Sequence, residues 1–158
     1  MKRRSSQYFF SGQSSKHEAG VGMLLSKRAQ QYNIGYNPIS ERIMSARLRA
    51  QPIDISVIQI YAPTADSSDE EVEAYLQLQE CLDRCSSQDV KFIVGDWNAK
   101  VGIDQRNWEQ QMGKFGYGEC NERGERLLEF ATLNNLYICS TKPSRKWTKK
   151  RITQMEET

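Results

Sequence analysis

Apolar residues recur along this chain with two different periods, and the periods predict its elements. Residues 42–50, RIMSARLRA, alternate: Met44, Ala46, Leu48 and Ala50 fall on one face, Ser45, Arg47 and Arg49 on the other. That period of two predicts a strand with one wet face. Residues 53–61, IDISVIQIY, set Ile53, Ile55, Val57 and Tyr61 against Ile58 and Ile60. With Gln51-Pro52 beginning the turn between them, the two runs predict an antiparallel hairpin. Proline cannot donate to a ladder, so Ala62-Pro63-Thr64 stops the second strand and leaves Tyr61 at its end. Upstream, residues 7–11 (QYFFS) and 20–26 (GVGMLLS) predict two further strands, the latter with glycines that leave room for close approach. Residues 33–41, NIGYNPISE, are rich in turn formers and read as a connection.

A period near 3.6 takes over afterwards. Ser67 and Ser68 followed by Asp69, Glu70 and Glu71 mark a helix start. Val72, Tyr75, Leu76, Leu78, Cys81, Leu82 and Cys85 then form a broad apolar stripe, predicting a helix packed on a sheet. Asn121 suits the cap of a second helix, with Leu127, Leu128, Phe130, Ala131 and Leu133 as its packing side and Asn134-Asn135 at its end. Residues 136–140, LYICS, predict a last apolar strand.

Between the helices lies the stretch with the most chemistry, KFIVGDWNAKVG at 91–102. Phe92, Ile93 and Val94 predict a short buried strand that Gly95 ends. Asp96 and Asn98, with Trp97 between them, fall on the connection just past it. A carboxylate held by a strand at a sheet rim is well placed for chemistry. Asp and Asn at such a place are equally turn formers that bond to their own backbone. Tyr61 has the same two readings, an aromatic at a sheet rim or a phenol donor to an anionic ligand. The following segment, 104–118, is a long loop bearing glycines and aromatics, the kind of segment that more often binds than merely connects.

Composition narrows the class. The 158 residues have single-domain size, with 38% hydrophobic and 27% charged residues and a mean hydropathy of -0.71. They describe a polar, soluble globular chain without the signature of disorder. The net charge of +2 does not by itself point to nucleic acid, yet basic residues gather at both ends. The N-terminal Met1-Lys-Arg-Arg is followed by no continuous apolar region, and no stretch has the ~18 apolar residues of a membrane span. The chain reads as intracellular. Its four cysteines form no CxxC pair, and free, mostly buried thiols are expected. His17, the single histidine, reads as a solvated loop residue. The sequence divides into a basic segment at 1–8, a domain at 9–141 and a basic tail at 142–158. That tail includes Lys149, Lys150 and Arg151 and reads as disordered or loosely attached. Its cations and Trp147 suit phosphate contact and base stacking, a solvated tail, or a nuclear import signal.

The interleaved strands and helices give an α/β or α+β chain. The ordered set Gly20-Val-Gly, Ser40-Glu-Arg-Ile, Ile60-Tyr-Ala-Pro-Thr, Val94-Gly-Asp-Trp-Asn-Ala, Asn121-Glu-Arg-Gly and Tyr137-Ile-Cys-Ser-Thr resembles the endonuclease/exonuclease/phosphatase superfamily. In particular it resembles the endonuclease domain of LINE-type retrotransposons and the craniofacial development protein 2-like sequences derived from it, from about Phe9 to Thr141. The resemblance implies a DNase I-like fold, here a partial four-layer α/β/β/α sandwich, with a phosphodiester-cleaving site at one rim, DNA as substrate and Mg2+ as cofactor. By motif position, Asp96 matches the catalytic aspartate, Asn98 its partner amide and Tyr61 the tyrosine that donates to the scissile phosphate. Asn121 matches a DNA-contacting or supporting position, and helix capping explains it equally.

The family also carries an asparagine and a metal-binding glutamate before the point where this sequence begins. It carries a Trp-bearing segment, an Ile-Asp-Tyr-Ile-like strand and a final Asp-His pair after its conserved centre. Lys146-Trp147-Thr148 only partly echoes these, and no metal ligand is assigned in the chain. The expectation is a fragment or degenerate copy of a Mg2+-dependent DNA endonuclease with little or no cleavage. The alternatives are a non-catalytic module that binds nucleic acid or protein, and a translated remnant without function.

Overall fold

The period-two segments of the sequence become strands, and they anchor the first of two units. The computed structural model describes residues 7–12, 20–64 and 68–142. These divide into the units Met1–Asn98 and Ala99–Thr158. In the first, strands β1 (Gln7–Gly12) and β2 (Gly20–Leu25) pair antiparallel. A single turn of helix, α1 (Lys27–Gln30), follows, opened by the Ser26 hydroxyl accepting from the Ala29 amide at 3.2 Å. Then come β3 (Asn33–Ser40), β4 (Ile43–Leu48), β5 (Ile55–Tyr61), α2 (Ser68–Arg84) and β6 (Val90–Asp96). The second sheet has the order β3-β4-β5-β6. Its first three strands are antiparallel, and β6 runs parallel to β5, with α2 as the crossover that a parallel pair requires.

The hairpin of β4 and β5 forms as its alternation predicts and separates two layers. On one face Met44 joins Phe9, Val21 and Leu25 of the small sheet, with Leu48 and Tyr61 packed against them. On the other, α2 lies over β4, and the Cys81 thiol reaches Ser45. Ile43, Met44, Ile58, Ile60 and Leu78 are fully buried. Each contributes roughly 1.5–3 kcal/mol, against about 0–1 kcal/mol for an exposed ion pair such as Arg84–Glu80. Apolar burial along β4 and β5, rather than surface charge, therefore holds this unit together.

Several expectations are corrected here. Residues 33–40 form an edge strand instead of a connection. An edge position tolerates Pro38, and register shifts between Asn33/Gly35 and Pro38/Ser40 take up the irregularity. The strand carrying Phe92 and Val94 is less buried than its apolar run implies. Among the described residues β6 pairs with β5 alone, and Val90, Phe92 and Val94 are exposed on one of its faces. On α2 the buried stripe is Glu71, Ala74, Leu78, Cys81 and Leu82, while Val72 and Leu76 face outward. Of the cysteines, all free, only Cys81 is buried; Cys120 and Cys139 are exposed.

The second unit holds a long irregular segment and one helix, α3 (Glu122–Leu133). Asn121 caps α3 as expected, its Oδ1 accepting from the Gly124 amide at 2.8 Å, and the helix buries Leu127, Leu128, Phe130 and Ala131. Leu133, expected on that side, is exposed. Residues 136–140 do not form a strand. Ile138 makes one isolated parallel bridge to Met112, and the chain then tightens into a 3-10 turn, Cys139–Thr141. The buried Thr141 stabilises that turn, donating its hydroxyl to the Ile138 carbonyl at 2.6 Å and accepting from the Gly113 amide at 2.7 Å. His17, the Ser67 cap and the tail residues Lys149, Lys150 and Arg151 lie outside the described residues.

Candidate active site at the ends of two parallel strands

Parallel pairing sets the geometry of the site. Because β5 and β6 run the same way, their C-terminal ends emerge at one rim, and the register places Tyr61 directly beside Asp96. Neighbouring strands lie about 4.8 Å apart, and partners in register project to the same face. The ladder continues one step beyond, where the Ala62 amide donates to the Asp96 carbonyl at 2.8 Å. Gly95 makes this register attainable. It has φ +143, and a Cβ there would stand 1.8 Å from the Ile60 carbonyl oxygen. Only a residue without a side chain fits.

The connection after β6 is then tied back. The Asn98 amide nitrogen donates to Asp96 Oδ1 at 3.0 Å, closing a turn on the aspartate's own side chain. Asn98 adopts a left-handed φ of 48, and its Nδ2 donates to the Ala62 carbonyl at 2.8 Å. Asp96, expected just past a strand ended by Gly95, is instead the last residue of β6, and the turn-former reading of Asp96 and Asn98 is realised at this rim. Asn98 fastens one strand end to the other, and its side-chain oxygen has no partner among the described residues. Asp96 remains exposed, with one carboxylate oxygen in the turn and the other open to a ligand. Trp97, between them, turns toward α2 and meets the Tyr75 ring at 6.3 Å between centroids.

Tyr61 is half-buried, its ring packed against the core cluster and its hydroxyl without a hydrogen-bond partner among the described residues. Sequence reasoning missed the residue that completes this side. The Arg42 guanidinium lies 5.6 Å over the Tyr61 ring and pairs with Glu70 of α2 at 3.2 Å, while its carbonyl accepts from the Tyr61 amide at 2.9 Å. The signal was present in Ser40-Glu-Arg-Ile, where the arginine immediately precedes β4. The rim thus brings together a cation, a phenol and a carboxylate.

Asn121 belongs to the second unit. Its Oδ1 accepts from both Gly124 and the Lys100 amide, at 2.8 and 3.0 Å. That oxygen is structural, and only Nδ2 is left to meet a ligand.

Mg2+ takes oxygen ligands in near-octahedral geometry. Asp96 is the carboxylate that the register sets beside Tyr61, and no group of three acidic, cysteine or histidine side chains able to hold a metal occurs among the described residues. The donor set present does not fit the cation by itself. No helix among the described residues is long and apolar enough to cross a membrane.

Comparison with known proteins agrees with this architecture. The structure superposes on the endonuclease domain of TRAS1, a telomere-specific non-LTR retrotransposon, with a TM-score of 0.53 at 14% identity, over 82% of this chain and 52% of that one. The fold is that of this DNase I-like endonuclease domain. In sequence it is 40% identical over 147 residues to craniofacial development protein 2 of Bos taurus, and equally so to that of Tragulus javanicus. Both alignments cover 89% of this chain, which spans about a quarter of the length of these relatives, 24% and 25%. No protein-family model matches the chain.

Proposed function

We propose that this rim docks a phosphodiester of DNA, and that the chain by itself cleaves weakly or not at all. The observation that carries the reading is the register of Tyr61 beside Asp96, with Arg42 on the tyrosine ring. In this reading the Tyr61 hydroxyl donates to a phosphoryl oxygen and Arg42 offsets its charge. Asp96 accepts a proton from the attacking water, and Asn98 keeps the two strand ends in place. A carboxylate without a metal set leaves the developing charge poorly stabilised, and each missing donor of that kind commonly lowers a rate by about 10²–10³.

A non-catalytic DNA-binding module is the second reading. It is favoured by Asn98, whose amide is engaged at Ala62 rather than open to a phosphate. The test is nicking of supercoiled plasmid in Mg2+, alongside salt-dependent binding of duplex DNA, for the chain and for Asp96→Ala. The proposal expects duplex binding that weakens in Tyr61→Phe and Arg42→Ala, with little nicking. Robust nicking lost in Asp96→Ala would overturn weak catalysis. Neutralising Lys149, Lys150 and Arg151 separates tail contacts from rim contacts, because only the former would lower the salt dependence without changing the response to Tyr61→Phe.

A further inference from the structure

The small sheet has a second face that the rim does not use. Phe9, Ser11, Val21 and Leu25 point into the core, so Tyr8, Phe10, Gly22 and Leu24 share the opposite face. Tyr8 is 74% exposed and Phe10 77% exposed, two aromatic rings one strand repeat apart, about 6.8 Å. Leu24 stands opposite Tyr8, but opposite Phe10 stands Gly22, with Gly20 opposite Gly12 beyond it. Backbone sterics do not demand these glycines. A Cβ at Gly22 would sit 3.4 Å from the Phe9 carbonyl and one at Gly20 3.8 Å from that of Ser11, and neither glycine has a left-handed φ. Glycine inside a strand weakens it, and one that no bulge requires leaves room for a ligand or another backbone to approach. Its effect here is a bare floor beside an upright aromatic ring.

The described charges next to this sheet in sequence are of one sign. Lys27 and Arg28 follow β2 directly and are exposed, and no carboxylate occurs on β1, β2, α1 or β3. The apolar area is small: two rings and a leucine expose roughly 400 Å² at most, against about 800 Å² per partner in a standard protein interface.

We propose that the Tyr8–Phe10 face of β1 and β2 binds single-stranded polynucleotide, one unstacked base lying on each ring and the Gly22 floor admitting the base at Phe10. Aromatics on an open sheet surface take bases in this way, with basic side chains following the backbone. The surface is separate from the Asp96 rim and does not depend on what the rim does.

The test is fluorescence anisotropy of the 158-residue chain with fluorescein-labelled dT12, with unlabelled U12 as competitor to separate DNA from RNA preference. Tyr8→Ala and Phe10→Ala should each weaken binding about tenfold or more, and Phe10→Trp should retain it. Gly22→Val should weaken it while leaving the thermal midpoint unchanged or raised, a pair of effects that damage to the fold would not produce. Equal affinity across the Tyr8, Phe10 and Gly22 variants would overturn the proposal. So would oligonucleotide binding that vanishes only when Lys149, Lys150 and Arg151 are neutralised. Concentration-dependent dimerisation abolished by Phe10→Ala, without an oligonucleotide effect, would identify the face as a protein interface and equally overturn it.

Discussion

Arg47 on β4 grips Asp89 with two nitrogens, Nε to Oδ2 at 2.8 Å and Nη2 to Oδ1 at 2.9 Å, and Ser56 on β5 donates to the same carboxylate at 2.7 Å. The Asp89 side chain is almost entirely buried, at 2% exposure. Asp89 immediately precedes β6, so this pair fixes where the strand that carries Asp96 begins.

The Arg47 hydrogen bonds, followed by that from Ser56, hold Asp89 below the usual carboxylate range. The folded-state pKa therefore lies below the unfolded one, near 3.9. The resulting stability is fully present above about pH 4 and is lost as pH falls through the folded value. Thermal unfolding between pH 2 and pH 7 should show this acid limb, and Asp89→Asn should flatten it while lowering the midpoint at pH 7. An Asp89→Asn profile that parallels the unmodified chain throughout would detach the pair from the pH dependence.

Gly95→Ala places a methyl group on the Ile60 carbonyl in a backbone conformation that side chains rarely adopt. Strain of that kind costs about 1–3 kcal/mol before the clash is counted. The variant should unfold at lower denaturant and bind duplex DNA less well, because β6 must shift away from β5 and carry Asp96 with it. Denaturant titration and the duplex-binding assay read both effects. Unchanged stability would mean that the close approach to Ile60 does not set the strand ends.

Asn121→Ala should cost about 1 kcal/mol, the usual worth of a helix cap, with an added loss from the Lys100 amide that shares its oxygen. Asn121→Asp keeps an oxygen that accepts from both amides and should restore stability. If duplex binding follows stability through the series, the residue is structural; a loss of binding in Asn121→Asp alone would assign its Nδ2 a direct contact.

The thiols should separate by burial. Desolvation is the main cause that pushes Cys81 up to about 11, so its thiolate is scarce at neutral pH. Limited alkylation at pH 7.5, read by peptide mass spectrometry, should label the exposed Cys139 and Cys120 before Cys81. Early labelling of Cys81 would indicate that α2 opens from β4.

Strong periodic runs were legible in the sequence. The β4–β5 hairpin follows from strict alternation, α2 and α3 from helical spacing and caps, and the rim position of Tyr61 from Pro63 just beyond it. What escaped was decided by neighbours rather than by local preference. Turn-forming residues became β3 because β4 offered a free edge, and the apolar LYICS segment, among the described residues, meets a single bridge partner, Met112, in place of a strand. Phe92 and Val94 have the composition of a buried strand, but the number of strands beside them is not written in their own residues. At the rim, Asp96 and Asn98 were singled out from their place at the end of an apolar run, whereas Arg42 could be recognised only once β4 and β5 had placed it over Tyr61.

The most direct measurement is a titration of the 15N-labelled chain with a short DNA duplex, followed through its amide resonances. If the strand ends form one phosphate-docking rim, the amides of Tyr61, Ala62, Asp96, Trp97 and Asn98 shift together with a single affinity, and Tyr61→Phe weakens that affinity. Shifts confined to other parts of the chain, with these five amides unmoved at saturation, would contradict it.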